Sequence, residues 1–322
     1  MKLFISGFLA TLFLFGCAYA ENTTELAYYQ KFQEKLDNRI GLMATTIAVL
    51  SGDGKVQWTG KDDFGHMSGI DESSAIRQIA LGGGYSLCLL ENGEIIYHGN
   101  KESEFQSFEQ FEEITMIGST RYAGFALNNT GTVNCLFNRN GSTTAFNLKS
   151  WNNIKSISTG DNFIVGLRND GTIVSSHPQD PRCKVSKWEN IIQVAAGHHF
   201  TIGLKNDGTV VGTGEYWGWG TDGEEVPEAD YDLSGWKDIV QVAAGDNFFA
   251  GLKSDGTICI DGWEKFYKGQ HVHDALDWEN VVYIRGLWNV LVGIQADGTV
   301  LTAGRLISGD INVDGWKAFE VQ

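Results

Sequence analysis

A short phrase of apolar and polar positions recurs seven times along this chain. Each copy holds an apolar strand, a turn pair that is Asp-Gly in five copies, and a second apolar strand. The turn glycines are separated by 39, 38, 40, 37, 48 and 42 residues. Self-similarity at such a period predicts a repeat fold built from small sheets.

The repeat unit predicts three strands. The first covers Ile239 to Ala244 in the fullest copy, the second Phe248 to Leu252, and the third begins at Thr257 and ends near Gly262. The Asp-Gly pair has the chemistry of a two-residue hairpin turn, and the first glycine, Gly245, marks a tight turn between strands one and two. The variable stretch after the third strand has room for a fourth. The fullest copy consists of Trp236, Ile239, Val242, Gly245, Phe248, Gly251, Leu252, Asp255, Gly256, Ile258 and Gly262.

The two ends of the repeat region are incomplete in complementary ways. Thr46 to Gly60 hold only the second half of a unit, whereas Trp316, Phe319 and Gln322 take the Trp, Ile and Val places of a first half. Six full copies and these two pieces predict an all-β, seven-bladed β-propeller closed by both chain ends, which leaves no open sheet edge.

The repeats resemble those of the regulator of chromosome condensation family. The shared pattern is a glycine, a His or aromatic, a small residue, Leu, then Asp-Gly and Val, and the stretch from Val56 to Gly65 matches the Trp-Gly ending of that repeat. The resemblance covers residues 45–322 and is strongest to compact bacterial members. It implies a seven-bladed propeller. It does not carry guanine-nucleotide exchange over, because only the repeat-forming positions match.

Residues 1–44 differ from the rest. Lys2, an apolar run and Ala18-Tyr19-Ala20 predict a secretory signal over residues 1–20. Cys17, in a sequence that resembles a lipobox, is the alternative as a site of lipidation. Residues 21–44 form a leader in which apolar residues at helical spacing predict a short amphipathic helix. These are Leu26, Tyr29, Phe32 or Gln33, Leu36 and Ile40.

Charge limits the choice of partner. Removing residues 1–20 leaves 23 basic and 40 acidic residues, a net charge of −17. Such a surface disfavours nucleic acid and anionic membranes, which attract Lys and Arg. Cys88, Cys135, Cys183 and Cys259 remain, and their spacing selects none of three disulfide pairings. Cys88 takes the small position held elsewhere by Gly251, which favours a buried free thiol.

The longest interval reflects an insertion after Val211 that combines aromatic, glycine and acidic residues. Exposed Trp and Tyr are common anchors of interfaces, so this segment is the candidate binding site. The alternative is that its Trp residues cover the edge of their own blade. The candidate residues are Tyr216, Trp217, Trp219, Glu224, Glu225 and Tyr231.

Other motifs receive a structural interpretation. His271 and His273 could offer two alternating ligands from a strand, but two ligands make a weak metal site. His198-His199 occupies the turn position of its unit. Adjacent acid pairs such as Asp62-Asp63 point to opposite faces of a strand, which does not suit paired catalytic carboxylates. We therefore predict no catalytic residues, no metal and no cofactor.

Together these patterns predict an exported, non-enzymatic propeller, secreted or at the cell surface or periplasm, without membrane insertion. It would act as a monomer that binds another protein through inter-blade loops. The alternative is a propeller that binds or cleaves polysaccharides, with Trp58, Trp217, Trp219, Trp263 and Trp288 as stacking surfaces.

Overall fold

The computed structural model describes residues 26–33, 35–36, 39–70, 75–99, 111–139, 145–214, 232–246, 248–262 and 272–320. Within them, twenty-one strands form seven antiparallel sheets of three strands each. Each sheet is one blade, and its strands lie side by side in chain order. The predicted seven-bladed all-β propeller is confirmed.

The strands are, blade by blade, β1 (Ile40–Met43), β2 (Thr46–Leu50) and β3 (Val56–Gly60); β4 (Ile76–Gly82), β5 (Tyr85–Leu90) and β6 (Ile95–Gly99); β7 (Ile114–Ser119), β8 (Ala123–Asn128) and β9 (Val133–Asn138); β10 (Ile154–Thr159), β11 (Ile164–Arg168) and β12 (Ile173–Ser175); β13 (Ile191–Ala196), β14 (Phe200–Lys205) and β15 (Val210–Gly214); β16 (Ile239–Ala244), β17 (Phe248–Lys253) and β18 (Ile258–Gly262); and β19 (Val281–Leu287), β20 (Val290–Gln295) and β21 (Val300–Gly304).

The anticipated fourth strand is not found in the described residues. Two of the stretches that follow a third strand contain 3₁₀ helices instead, at Pro181–Cys183 and Val272–Asp277. Asp180 caps the first of them, because its carboxylate accepts a hydrogen bond from the Arg182 amide at 2.9 Å. The stretch from 272 to 277 also corrects the sequence interpretation of His273, which lies on a 3₁₀ helix rather than on a strand.

The core lies between neighbouring blades. Phe200, Ile202 and Leu204 of blade 5 pack against Trp236 and Ile239 of blade 6, and all five side chains are buried. Each second strand lies at the centre of its sheet and is buried almost throughout, as in β5 and β17. The apolar runs of the repeat are therefore explained by contact on both faces of a blade.

The recurring Trp and the recurring glycine of the second strand are one packing unit. A Cβ built on Gly251 would lie 2.9 Å from the Trp236 ring, and the other full copies repeat this contact. The copies without Trp carry larger residues in place of the glycine: Ser73 occurs with Cys88, and Phe111 with Ala126. In blades 2 to 7, the glycine is thus kept where the ring is Trp; blade 1 differs, because Val49 takes this position beside Trp316 in the Trp place.

All four described cysteines are free thiols, and Cys88 is buried as expected. Desolvation in the core raises the pKa of Cys88 to about 12. Burial likewise raises the pKa of Cys135 and Cys183 to about 12 and that of Cys259 to about 11. These thiols are held in the unreactive protonated form at neutral pH.

The Asp-Gly turns are longer than the predicted two-residue hairpin. The Gly256 amide donates to the Lys253 carbonyl at 3.0 Å, and only the glycine takes a positive φ, of 80°. The Asp255 carboxylate accepts hydrogen bonds from the Thr257 amide and hydroxyl. The turn is therefore a type I turn followed by a left-handed glycine, and the aspartate holds it by an Asx contact.

A backbone hydrogen bond joins the turn glycine to the next segment of chain at five of the seven junctions, from Gly131 onwards. The Ile239 amide of blade 6 donates to the Gly208 carbonyl of blade 5 at 3.3 Å. Asp238, the residue before it, takes a left-handed φ of 58°, which brings the two backbones together. We call this bond the inter-blade latch. Equivalent latches join Ile154 to Gly131, Ile191 to Gly171 and Val281 to Gly256.

The C-terminal segment repeats the latch and closes the ring. The Ala318 amide donates to the Gly298 carbonyl at 2.9 Å, and the Phe319 Cα lies 3.4 Å from the position of a Cβ on Gly52 in blade 1. The Ile307 amide donates to the Ala44 carbonyl and the Ser308 hydroxyl to the Thr45 carbonyl. Closure by both chain ends is thus confirmed.

The first strand of blade 1 differs from the sequence interpretation. It is β1, which pairs with β2 so that Ile40 lies opposite Val49. Gln322, expected in that place, lies outside the described residues. β1 begins five residues before the boundary drawn at residue 45, inside the segment assigned to the leader. The C-terminal segment supplies the latch that precedes this strand rather than the strand itself.

Helix α1, at residues 26–33, covers the face of the ring that carries the Asp-Gly turns. The Tyr29 hydroxyl donates to the Ser254 carbonyl of one such turn at 3.0 Å, and Leu26 and Phe32 pack on blades 6 and 7. The predicted amphipathic helix is confirmed. Among the described residues, no helix has the length and apolar content needed to cross a membrane.

The seven first strands line a central channel with a volume of about 400 Å³, and Gln30 and Gln33 of α1 lie at one end of it. Of the described residues that line the channel, Lys155 and Arg285 are charged and none is acidic. The channel of this acidic chain is therefore cationic, and its end on the Asp-Gly face is occupied by α1.

Glutamine side chains join neighbouring first strands around the channel. Gln241, which is 3% exposed, donates to the Ile284 carbonyl at 3.0 Å and accepts from the Ile284 amide at 2.8 Å. Gln78 and Gln193 make corresponding contacts with the next blade. These bonds satisfy strand edges that face the channel, where no fourth partner strand is present.

We predict that Gln241→Leu lowers the free energy of unfolding by about 2 kcal/mol or more, because it leaves a buried amide and carbonyl without partners. Chemical denaturation measures this change. Gln78→Leu, at the same position of blade 2 but half-buried, is the matched control and should cost less. Equal tolerance of both substitutions would contradict the bonding role.

We also predict that closure depends on Gly298. A Cβ at Gly298 would lie 2.1 Å from the Phe319 carbonyl, whereas one at Gly54, with a nearly identical φ, would meet nothing within 4 Å. Gly54→Ala should therefore cost only the left-handed strain of about 1 kcal/mol, and Gly298→Ala about 3 kcal/mol. Hydrogen exchange of the Ala318 amide should accelerate only in Gly298→Ala; equal exchange in both variants would refute this account.

Candidate functional site

The turns between first and second strands meet around the channel mouth opposite α1. Each turn places one residue at this mouth, directly after the first strand or its terminal glycine. Neighbouring turns are joined by backbone hydrogen bonds, as from the Arg121 amide to the Asp161 carbonyl at 3.0 Å and from the Asp246 amide to the Trp288 carbonyl at 2.6 Å. In blades 2 to 7 these mouth residues are Gly83, Arg121, Asp161, His198, Asp246 and Trp288.

His198 lies between two carboxylates from the neighbouring blades. Its Nδ1 is 2.6 Å from Asp246 Oδ1, and its Nε2 is 3.5 Å from Asp161 Oδ2. The three side chains come from blades 4, 5 and 6 and are 13 to 29% exposed. The mouth therefore holds a histidine with a carboxylate on each side.

This arrangement favours the imidazolium form of His198. Burial opposes protonation, but the short contact with Asp246 and the charges of Asp246 and Asp161 outweigh it and raise the pKa of His198 above its ordinary 6.5. An Arg182 charge nearby acts in the opposite direction and is weaker. His198 thus links three blades electrostatically.

His199 has the opposite preference. Its ring stacks on His198 with centroids 4.3 Å apart, and its Nε2 lies 3.5 Å from the same Asp246 Oδ1. Burial and the charge of His198 lower the pKa of His199 to about 4. The adjacent histidines therefore form an asymmetric pair, one charged and one neutral near pH 6.

Arg182 fixes the backbone of this pair. Its guanidinium donates to the His198 carbonyl at 2.9 Å and pairs with the Asp180 carboxylate through two nitrogens. The same guanidinium lies 4.9 Å from the Phe163 ring centroid. The contact with Asp180 raises the pKa of Arg182, so Arg182 stays protonated, and the Asp180 carboxylate neutralises its charge locally.

Trp288 lies across the mouth. Its ring is 5.3 Å from the His198 ring and 5.8 Å from the Arg121 guanidinium, and it packs on the cluster that contains Met43 and Leu81. It therefore reaches Arg121 of blade 3, His198 of blade 5 and the cluster that blades 1 and 2 share. Its φ is 51°, a left-handed conformation that is unusual for a bulky residue and is often associated with functional sites.

The predicted binding residues Tyr216, Trp217, Trp219, Glu224, Glu225 and Tyr231 lie outside the described residues, as does Cys17. The residues that flank the insertion are described. Gly214 approaches the His199 carbonyl, so closely that a Cβ would lie 2.3 Å from it, and the Asp232 amide donates to Asp261 at 3.2 Å. Both flanks lie on the mouth face, at blades 5 and 6.

The remaining sequence candidates have structural roles. The Asp62 carboxylate accepts hydrogen bonds from the Met67 and Ser68 amides and lies 3.1 Å from His66 Nδ1. Among the described residues, the group of potential metal ligands at the mouth does not include His273. His271 and Trp263 lie outside the described residues.

The mouth cluster was missed in the sequence because His198-His199 was interpreted as turn chemistry alone. A signal existed. Asp161, His198 and Asp246 occupy the same position of three successive repeats, one residue after the first glycine. In a closed ring, equal positions of neighbouring blades lie side by side, so this alternation of charge places opposite charges in contact.

Comparison with known proteins supports the fold and no more. No family model and no curated protein matches the chain. The CRINKLY WD40 ectodomain of the Arabidopsis thaliana receptor kinase ACR4 is 15% identical, with a TM-score of 0.64 over 85% of this chain and 96% of that one.

Two further solved structures are similar. Prp20p, the RCC1 of Saccharomyces cerevisiae, is 17% identical with a TM-score of 0.57, over 85% of this chain and 82% of that one. Human WBSCR16 is 14% identical with a TM-score of 0.57, over 81% and 88%. The resemblance to the regulator of chromosome condensation propeller is thus confirmed as a likeness of fold.

We predict opposite pH responses from the two histidines. Because the folded pKa of His198 is raised, its stabilisation is complete below the unfolded value of about 6.5 and is lost as pH rises through the folded value. His199, with a folded pKa of about 4, instead destabilises the fold as pH falls from about 6.5 towards 4. NMR titration of the imidazoles measures both.

In the same experiment, Asp246→Asn should lower the pKa of His198, because the nearest carboxylate is removed. His66, which lies beside Asp62, is the internal reference and should titrate unchanged. A His198 titration that is unaffected by Asp246→Asn would show that the ion pair does not form.

Proposed function

We propose that this chain is an exported, non-enzymatic propeller that binds another protein through its mouth face. One observation carries the proposal: both flanks of the 215–231 insertion lie on the same face as Arg121, His198 and Trp288. The aromatic insertion and the mouth residues can then contact one partner together. On the opposite face, α1 lies over the end of the central channel.

Apolar side chains on the mouth face support this proposal. Phe64 is 52% exposed and lies over the turn glycine Gly84, and Ile307, beside Ala44, is 68% exposed. Exposed large apolar side chains near aromatic and Arg residues are typical of protein interfaces. We infer that Phe64, Ile307 and Trp288 contribute apolar contacts around the mouth.

Charge indicates which partners are favoured. The net charge of −16 favours a protein with a basic contact surface, because complementary potentials accelerate association and exclude wrong partners. The structure of Prp20p was studied together with its binding to Gsp1p and histones, so a protein of this fold binds other proteins. At 17% identity, that fact supports the class of function and not the partner.

The state of His198 supports binding without catalysis. A general base needs a free nitrogen within reach of its substrate, but both ring nitrogens of His198 face carboxylates. Its charge is therefore used to hold three blades together. Export is proposed from the signal-like residues 1–20, with lipidation of Cys17 as the alternative.

A polysaccharide is the second candidate ligand. Trp58 is 38% exposed on the outer strand of blade 1, and an exposed indole can stack on a sugar ring. This ligand would bind the side of the ring rather than its mouth. The two candidates are separated by location as well as by chemistry.

We predict that Trp288→Ala, and separately Trp217→Ala with Trp219→Ala, weakens capture of a protein partner by about tenfold or more. The partner is first obtained by pull-down from the exported compartment, and affinity is then measured with purified variants. Tyr28→Ala, which removes a 49% exposed side chain of α1 on the opposite face, is the control and should bind normally.

Circular dichroism establishes that the variants are folded. Unchanged affinity in both Trp variants would refute the mouth face as the binding site. Specific binding to a glycan array that is lost in Trp58→Ala would favour the polysaccharide ligand instead.

A further inference from the structure

Three potential metal-binding atoms meet at the channel mouth. His198 Nδ1, His199 Nε2 and Asp246 Oδ1 all lie within 4.8 Å of one another. Asp246 Oδ1 is 2.6 Å from the first nitrogen and 3.5 Å from the second. One carboxylate oxygen therefore faces two imidazole nitrogens from a neighbouring blade.

His198 Nδ1 and Asp246 Oδ1 are close together, but the angles between the two groups are not those of a good hydrogen bond. Both His198 Nδ1 and Asp246 Oδ1 are buried, and neither has a well-directed hydrogen bond among the described residues. Buried polar atoms normally have such bonds, so the two atoms require another explanation. A divalent ion bound between these atoms would displace the proton that His198 Nδ1 otherwise shares with Asp246 and would satisfy both atoms.

We propose that His198 Nδ1, His199 Nε2 and Asp246 Oδ1 bind one divalent transition-metal ion of the zinc class. Imidazole nitrogen and carboxylate oxygen are suitable ligands for Zn²⁺, and three protein ligands leave a fourth position open. This site goes beyond the proposed function, because it is defined by the chain alone and requires no partner.

Asp161 is placed to orient the ligand set. Its Oδ2 lies 3.5 Å from His198 Nε2, the ring nitrogen that faces away from the proposed ion. A carboxylate at this position favours a proton on Nε2 and leaves Nδ1 available for the metal, as in carboxylate–histidine–zinc arrangements. Asp161 is therefore a positioning residue and not a ligand.

The surroundings are compatible with a cation. Arg182 is a basic side chain close to the site, and its paired contact with Asp180 neutralises it. Its bond to the His198 carbonyl holds the backbone that carries both histidines. The Trp288 ring lies beside the cluster, 5.3 Å from the His198 ring.

Binding requires a local change in side-chain orientation. The two imidazoles are stacked with an interplanar angle of 20°, so their lone pairs do not yet converge. Ligand atoms around a tetrahedral zinc ion are roughly 3.4 Å apart. Asp246 must therefore move away from His198 by somewhat less than 1 Å, and the rings must tilt, without a change in the blades.

The test is titration of untagged, chelator-treated protein with Zn²⁺ by calorimetry, and with Co²⁺ by absorption. We expect one ion per chain, and an affinity at least tenfold weaker in His199→Ala and in Asp246→Asn. Asp161→Asn should weaken binding by roughly 10- to 100-fold while keeping one ion per chain. His273→Ala is the matched control and should bind like the unchanged protein.

NMR on the unchanged protein gives a readout that does not depend on the variants folding. One equivalent of Zn²⁺ should shift the imidazole signals of both His198 and His199. Absence of Zn²⁺ binding, unchanged affinity in both ligand variants, or a shift confined to other histidines would overturn the site. Because no partner is added, these results are independent of the proposed protein binding.

Discussion

Blades 4 to 7 are each held to the blade before by a backbone hydrogen bond, from the amide that opens the first strand to the carbonyl of the previous turn glycine, and Ala318 makes the same bond at the closure of the ring. The bond between Ile239 and Gly208 requires a left-handed residue, Asp238, on one side and a left-handed glycine on the other. A tryptophan that precedes the first strand, such as Trp236, packs on a glycine of the second strand, such as Gly251. The recurring residues are thus the contact points between blades as well as the residues of single blades.

Most of the fold could be predicted from the sequence because these junction residues recur. The strands, the seven blades and α1 follow from apolar spacing, glycine and tryptophan. β1 could not be assigned, because Ile40–Met43 lacks the Ile-x-x-Val spacing and Ile40 continues the helical spacing of Leu36. Its position depends on the pairing of Ile40 with Val49, a contact that forms only in the folded sheet. The turn type was also mistaken, since hydrogen bonding around Asp255 and not residue type alone decides how many residues it includes.

The mouth cluster shows how a repeat can create a unique site. The residue after the first strand makes a backbone hydrogen bond in several blades, and this bond does not depend on its side chain. At this position, Asp161, His198 and Asp246 place one imidazole between two carboxylates, and the Trp288 ring lies beside them. The contacts of this cluster run between repeats, at equal positions of neighbouring blades, and not within any one repeat.

Every sheet of this ring is made from one contiguous stretch of chain, so its strand pairing is local and can form early. The seam is different. The Ser308 hydroxyl meets the Thr45 carbonyl across 263 residues of sequence, and Phe319 must reach Gly52. Until residues 306–319 have emerged and docked, the apolar flanks of the first and last blades remain open to other chains. The seam is therefore the contact of longest range in the ring and the one that is made only when both ends of the repeat region meet, and α1 packs beside it through Phe32.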